Sequence, residues 1–161
     1  NFRDEELAGP IAEFEKAGIQ YDIASTKKGV CRGMLGARVT ASLPLEDVDP
    51  SGYSGVVIVG GSGSPVHLWN SDLLVQLVKY FSKSNRLVAA ICLSPVVLAR
   101  AGILKGKKAT CFESPPATKE MLRAGADLSA GPVVVDGNVI TANGPAAAGE
   151  FAGAVVRALK G

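Results

Sequence analysis

The chain has one histidine, His67, one tryptophan and three cysteines in 161 residues, and each scarcity closes off a chemistry. Cys31, Cys92 and Cys111 cannot all pair and none forms a CxxC clip. With a single histidine, zinc-type ligand sets are nearly excluded, and neither metal nor cofactor is expected. There is no dominant charge: Lys+Arg 17 against Asp+Glu 15 leaves +2, so electrostatics single out neither nucleic acid nor an anionic membrane as a partner. No apolar run approaches the ~18 residues of a membrane span, and no signal peptide is visible. What is present is 47% hydrophobic residues against 20% charged, ample for a buried core and incompatible with disorder. One globular domain with reduced thiols, cytoplasmic in location, is the expectation.

Apolar periodicity supplies the elements. Leu7, Ile11 and Phe14 recur at helical spacing, predicting a helix over Glu5–Ala17 with Asp4 as N-cap and Gly18 as C-cap. Ile19–Ile23 alternates as a strand should, and two short strands around Gly33 and Gly36 suit a hairpin. Val56–Val59 and Leu87–Ile91 are uninterrupted apolar runs of the kind covered on both faces in a parallel sheet. Helices are predicted over Ser71–Ser82, from Pro95 to about Ala101, over Lys119–Ala124 and over Gly149–Leu159. Lys108–Cys111 reads as a short strand, and Val133–Val135 with Val139–Thr141 flank the turn Asp136-Gly137-Asn138 as a hairpin. Alternating strands and helices indicate an α/β sandwich around a mostly parallel sheet.

Ligands in such sheets bind beyond the carboxyl ends of the strands, which directs attention to Gly60–His67 and Cys92–Pro95. Cys92 stands where an apolar strand stops and a helix starts, a place where N–H groups and the helix dipole favour thiolate. Equally, cysteine packs as a small hydrophobe, so both readings stand at this point. Gly60-Gly61 offers unencumbered N–H groups that could hold an oxyanion, or a tight turn that permits close approach. The loop fits neither GxGxxG nor GxxxxGK[ST], which removes support for nucleotide binding. Glu6, within Asp4-Glu5-Glu6, has the default role of complementing the helix dipole, and His67 that of an exposed loop histidine. Lys105, Lys107 and Lys108 read as a solvated face with no interleaved aromatics for stacking bases.

Several stretches, in order along the chain, carry a likeness. These are Phe2-Arg-Asp-Glu-Glu-Leu7 with Pro10, Tyr53-Ser-Gly-Val-Val-Ile-Val-Gly-Gly61, Leu87-Val-Ala-Ala-Ile-Cys92 with Pro95 and Ala101-Gly-Ile-Leu-Lys-Gly-Lys-Lys108, and Val134-Val-Asp-Gly-Asn-Val-Ile-Thr141 with Gly144-Pro145. Together they resemble the DJ-1/PfpI (ThiJ) superfamily. The resemblance implies a three-layer flavodoxin-like sandwich with a mostly parallel sheet and a C-terminal β-hairpin, related to class I glutamine amidotransferase domains. It implies a homodimer or larger homo-oligomer. It also implies that the first sheet strand precedes Asn1, so residues 1–161 are expected to form a single domain without that strand.

By the same resemblance Cys92 matches the nucleophile. Glu6, four residues before Pro10, matches the carboxyl group set against the thiol, where a protonated form would donate to thiolate and depress its pKa. The backbone N–H groups of Gly61 and Leu93 match the oxyanion position. Leu93 also marks a departure: protease-like members carry histidine there, and leucine cannot shuttle a proton. His67 is a candidate partner for Cys92 of a neighbouring subunit, and Leu93, Phe112 and Asn143 are expected to border the pocket. The leading expectation is a cysteine-dependent enzyme, glyoxalase- or deglycase-like, acting on small reactive carbonyls such as methylglyoxal and its adducts. The alternatives are an oxidation-sensing stress or chaperone protein without turnover, and an intracellular cysteine peptidase, which Leu93 disfavours.

Overall fold

A computed structural model describes residues 1–161. Leu87–Ile91 forms the strand at the heart of the molecule, every one of its residues buried. Its side chains alternate between two cores: Val88 and Ala90 pack with one, and Leu87, Ala89 and Ile91 with the other. A continuous apolar run is what a strand covered on both faces requires.

In chain order the elements begin with helix α1 (Asp4–Ala17), then β1 (Ala24–Ser25), β2 (Gly29–Arg32), β3 (Arg38–Ala41) and β4 (Leu43–Pro44). There follow β5 (Gly55–Ile58), α2 (Asp72–Lys83), β6 (Leu87–Ile91), α3 (Pro95–Arg100), β7 (Lys108–Ala109) and α4 (Pro115–Arg123). The chain closes with β8 (Asp127–Leu128), β9 (Val133–Asp136), β10 (Val139–Ala142) and α5 (Ala148–Lys160). The main sheet has the order β5-β6-β10-β9. β5 and β10 both run parallel to β6, with Val56 and Val139 each opposite Val88, and β9 returns antiparallel to β10. Phe14 of α1 and Phe151, Ala154 and Val155 of α5 fill one face; Leu74, Val78 and Phe81 of α2 and Val96–Ala99 of α3 fill the other. The result is the three-layer α/β sandwich with a mostly parallel sheet and a C-terminal hairpin. No helix is long and apolar enough to cross a membrane.

Four expectations need correction. Asp4 is not the N-cap of α1, which begins at Asp4 itself; its carboxylate instead accepts from the N–H groups of Leu35 and Ala37, both at 2.8 Å, tying the β2–β3 turn to the helix. Ile19–Ile23 forms no ladder, and regular pairing there is limited to β1 with β4. Between residues 19–26 and residues 52–60 lies a cavity of about 810 Å³ where a neighbouring strand would have to lie for that stretch to pair. β5 accordingly forms an edge of the main sheet. β7 stops at Ala109 because the next N–H, that of Thr110, bonds the Thr141 hydroxyl at 2.9 Å instead of a strand partner. Finally, α4 starts at Pro115 rather than Lys119, since prolines in a first turn remove only N–H groups that have no helical partner.

Candidate active site

β6 delivers Cys92 into a backbone conformation few residues adopt. Its φ is +66°, one of two positive values among the non-glycine residues. The strained residue is held from both sides: its N–H donates to Ala142 O at 2.8 Å and its carbonyl accepts from Phe112 N–H at 2.7 Å. Such a conformation costs on the order of 1 kcal/mol and persists only where the surroundings enforce it. A tight turn through Leu93 and Ser94 then leads into α3.

Glu6, in the first turns of α1, is fully buried, an uncommon state for a carboxylate. Its Oε2 accepts from Gly60 N–H at 2.8 Å, whereas Oε1 makes no hydrogen bond; the Cys92 thiol is a further group acting on the carboxyl. Gly60 is wedged between the two: a Cβ there would lie 2.6 Å from Cys92 Cβ and 2.7 Å from Glu6 Oε2. No larger residue leaves the pair together. At Gly61, φ +107°, a Cβ would sit 2.5 Å from Arg3 N, so the loop presses its backbone against the start of α1.

Burial pushes the Glu6 carboxyl up to about 7, with the Gly60 N–H and the thiol pulling the other way. Cys92 is pushed up to about 12, by burial first and by the Glu6 charge second; the N–H groups of Gly61 and Leu93 favour the thiolate but do not outweigh them. The depressed thiol expected from the sequence is therefore corrected. The repulsion depends on Glu6 being charged, and it vanishes whenever Glu6 holds its proton.

The N–H groups of Gly61 and Leu93, matched by resemblance to the oxyanion position, are near enough to Cys92 to favour its thiolate. Phe112 is bonded to Cys92 through its backbone, with its ring partly exposed beside Gly144. Asn143 directly follows β10, next to the residue that clamps Cys92, and is half-buried. His67 lies exposed on the one-turn π-helix Ser64–Leu68, and the Cys92–Glu6 pair takes its hydrogen bonds and charges from other groups. Cys111 is buried and pushed up to about 11 by that burial alone, as a packing thiol should be; Cys31 is half-buried on β2. No three His, Cys, Asp or Glu side chains gather into a group able to hold a metal ion. Sequence reasoning missed two groups beside the site. Trp69 donates its indole N–H to Leu93 O at 2.8 Å, and Ser64 and Ser94 meet as buried hydroxyls; the only signal for the latter was a serine between apolar Leu93 and Pro95.

The DJ-1/PfpI family model covers residues 1–158. The chain belongs to the DJ-1/PfpI family. It is 53% identical over 160 residues to an uncharacterised protein of Methanocaldococcus jannaschii, spanning 99% of this chain and 78% of that one. It is 32% identical over 144 residues to the deglycase PfpI of Pyrococcus furiosus, spanning 89% of this chain and 85% of that one. Among solved structures, the ThiJ/PfpI domain protein of Brachyspira murdochii superposes with a TM-score of 0.94 at 35% identity, covering 99% of this chain and 91% of that chain. These DJ-1/PfpI relatives leave the fold and its order of elements in no doubt; the chemistry rests on the site.

Proposed function

We propose that this DJ-1/PfpI protein is a cysteine-dependent enzyme acting on small reactive carbonyls, glyoxalase- or deglycase-like, without a cofactor. The observation that carries the reading is a single apposition: a thiol on a strained turn, a buried carboxyl beside it, and two N–H groups that favour its thiolate. The deglycase names of archaeal relatives at about a third identity support the substrate class.

The raised carboxyl decides how the chemistry starts. A group poised near 7 is well matched to proton transfer at neutral pH. As Cys92 Sγ attacks the aldehyde carbon, the S–H proton passes to Glu6, the carbon–sulfur bond forms, and the carbonyl electron pair moves onto oxygen. Gly61 and Leu93 N–H groups steady that oxyanion until Glu6 returns the proton, leaving a hemithioacetal. Glu6 then moves a proton from the thiol-bearing carbon to its neighbour in a dicarbonyl substrate such as methylglyoxal, through an enediol in which the hydroxyl proton of the first carbon passes to the oxygen of the second. That gives a thioester, which water hydrolyses to a hydroxy acid and the free thiol. No external oxidant or reductant enters.

The competing readings receive less support. A peptidase needs a histidine beside the thiol, and this position is Leu93 while His67 is exposed. An oxidation sensor is served by an accessible, acidic thiol, whereas Cys92 is only 6% exposed and pushed up. The partners proposed are a small electrophile and further copies of this chain; His67 toward a neighbouring subunit's Cys92 belongs to that proposal. Val66 beside it, 72% exposed, is an apolar side chain suited to such a contact. Consumption of methylglyoxal by wild type and its abolition in Cys92→Ser is the expected result; undiminished turnover in the variant refutes the mechanism.

A further inference from the structure

Two buried hydroxyls stand beside the reactive pair, and the chemistry above uses neither. Ser64 and Ser94 are 2% and 0% exposed, with their Oγ atoms 2.8 Å apart. Ser94 Oγ also lies 2.6 Å from the Val59 carbonyl oxygen. A carbonyl only accepts, so the single Ser94 proton goes to Val59 and Ser64 donates to Ser94. That fixes the direction of the chain.

The Val59 carbonyl and the Gly60 N–H belong to one trans peptide unit, and they point in opposite directions from it. Gly60 N–H is the group that donates to Glu6 Oε2. One polar run therefore leads from Ser64 through Ser94 and the Val59–Gly60 peptide to Glu6, with every donor oriented toward the carboxylate. Ser94 sits two residues beyond Cys92, so the turn that presents the nucleophile also grips the peptide that supports its glutamate. A hydroxyl on the carbonyl end also polarises the amide and strengthens its N–H as a donor.

We propose that Ser94, backed by Ser64, is a positioning residue that fixes the rotation of the Val59–Gly60 peptide and so aims its N–H at Glu6. Its relevance to turnover rests on the reading of Glu6 as proton acceptor for Cys92. The other groups acting on Glu6 are Cys92 from the turn and Arg3 and Glu5 from the start of the chain, and serine substitutions alter none of them.

The test is the titration of the Glu6 carboxyl by ¹³C NMR on folded protein, assigned with Glu6→Gln, in wild type, Ser94→Ala, Ser64→Ala and the double variant. Iodoacetamide alkylation of Cys92, resolved by peptide mass from Cys31 and Cys111, is followed in parallel. Ser94→Ala should raise the Glu6 midpoint by about half to one pH unit, the scale of a weakened hydrogen bond to a charged group. Ser64→Ala should raise it less, because Ser94 still reaches Val59, and the double variant should match Ser94→Ala. An unmoved midpoint in Ser94→Ala, or a larger shift in Ser64→Ala, overturns the proposal. Should Ser94→Ala not fold, Ser64→Ala decides alone: a raised midpoint supports it and an unchanged one overturns it. If the Glu6 midpoints move as described while wild-type alkylation shows no inflection near the Glu6 midpoint, the positioning role stands and the proposed function falls.

Discussion

Replacing Glu6 by glutamine removes a charge from a fully buried position while keeping the side chain's shape. In the folded protein the carboxyl lies at about 7 against an ordinary 4.5, so between those values the native state holds a proton that the unfolded chain has released. Stability from this group is fully present below pH 4.5 and is lost as pH rises through about 7. At about 1.4 kcal/mol per pH unit, the loss amounts to at most about 3.5 kcal/mol. Glutamine never ionises, so Glu6→Gln should match wild type closely at low pH and exceed its stability by up to about 3.5 kcal/mol at pH 8. Urea unfolding followed through the single tryptophan, Trp69, across that range measures it. The difference between the two proteins is the quantity to read, because carboxylates held low by hydrogen bonds, such as Asp4 and Glu120, tilt both curves equally in the opposite sense. Parallel curves for the two proteins from pH 4 to 8 would mean that Glu6 is not an unusually basic buried carboxyl, and the proton-acceptor role would fall with it.

Turnover of methylglyoxal should rise with pH through about 7 as Glu6 loses its proton, and Glu6→Gln should flatten that rise while lowering the rate about 10²-fold or more; a steady-state pH profile shows both. Gly60→Ala forces a methyl group against Cys92 and Glu6, so Cys92-dependent turnover should drop to background even in preparations whose circular dichroism is unchanged. Trp69→Phe loses the bond to Leu93 O and should cost about 1 kcal/mol in urea unfolding, followed for this variant and wild type by circular dichroism because the only tryptophan is gone. Phe151→Ala empties a fully buried site between α5 and the sheet and should cost about 3–5 kcal/mol, well beyond any substitution at exposed His67.

The strands buried on both faces were legible because burial dictates composition: Leu87–Ile91 appears at the predicted bounds, and the β9–β10 hairpin forms around Asp136-Gly137-Asn138. Cys92 was legible from its place at the end of such a run, and Glu6 through resemblance. Burial of Glu6 was not, since three acidic residues opening a helix carry the same pattern whether they face water or a thiol. Asp4 shows the same limit: a residue suited to capping was taken by the N–H groups of a turn more than thirty positions away. Ile19–Ile23 has the alternation of a strand, but alternation cannot supply the neighbour that makes one. The raised thiol was also beyond reach, because N–H groups can be inferred from a turn whereas the opposing cost of burial comes from the whole tertiary structure.

The cavity between β5 and residues 19–26 has a thermodynamic meaning of its own. Beside that cavity the outer edge of β5 has no strand partner, so its backbone groups on that side are open to pairing. A segment that paired there would bind the folded state and not the unfolded one, and well above its dissociation constant it would raise apparent stability with the logarithm of its concentration. A melting temperature followed through a dilution series would reveal pairing between copies of the chain as a dependence on protein concentration.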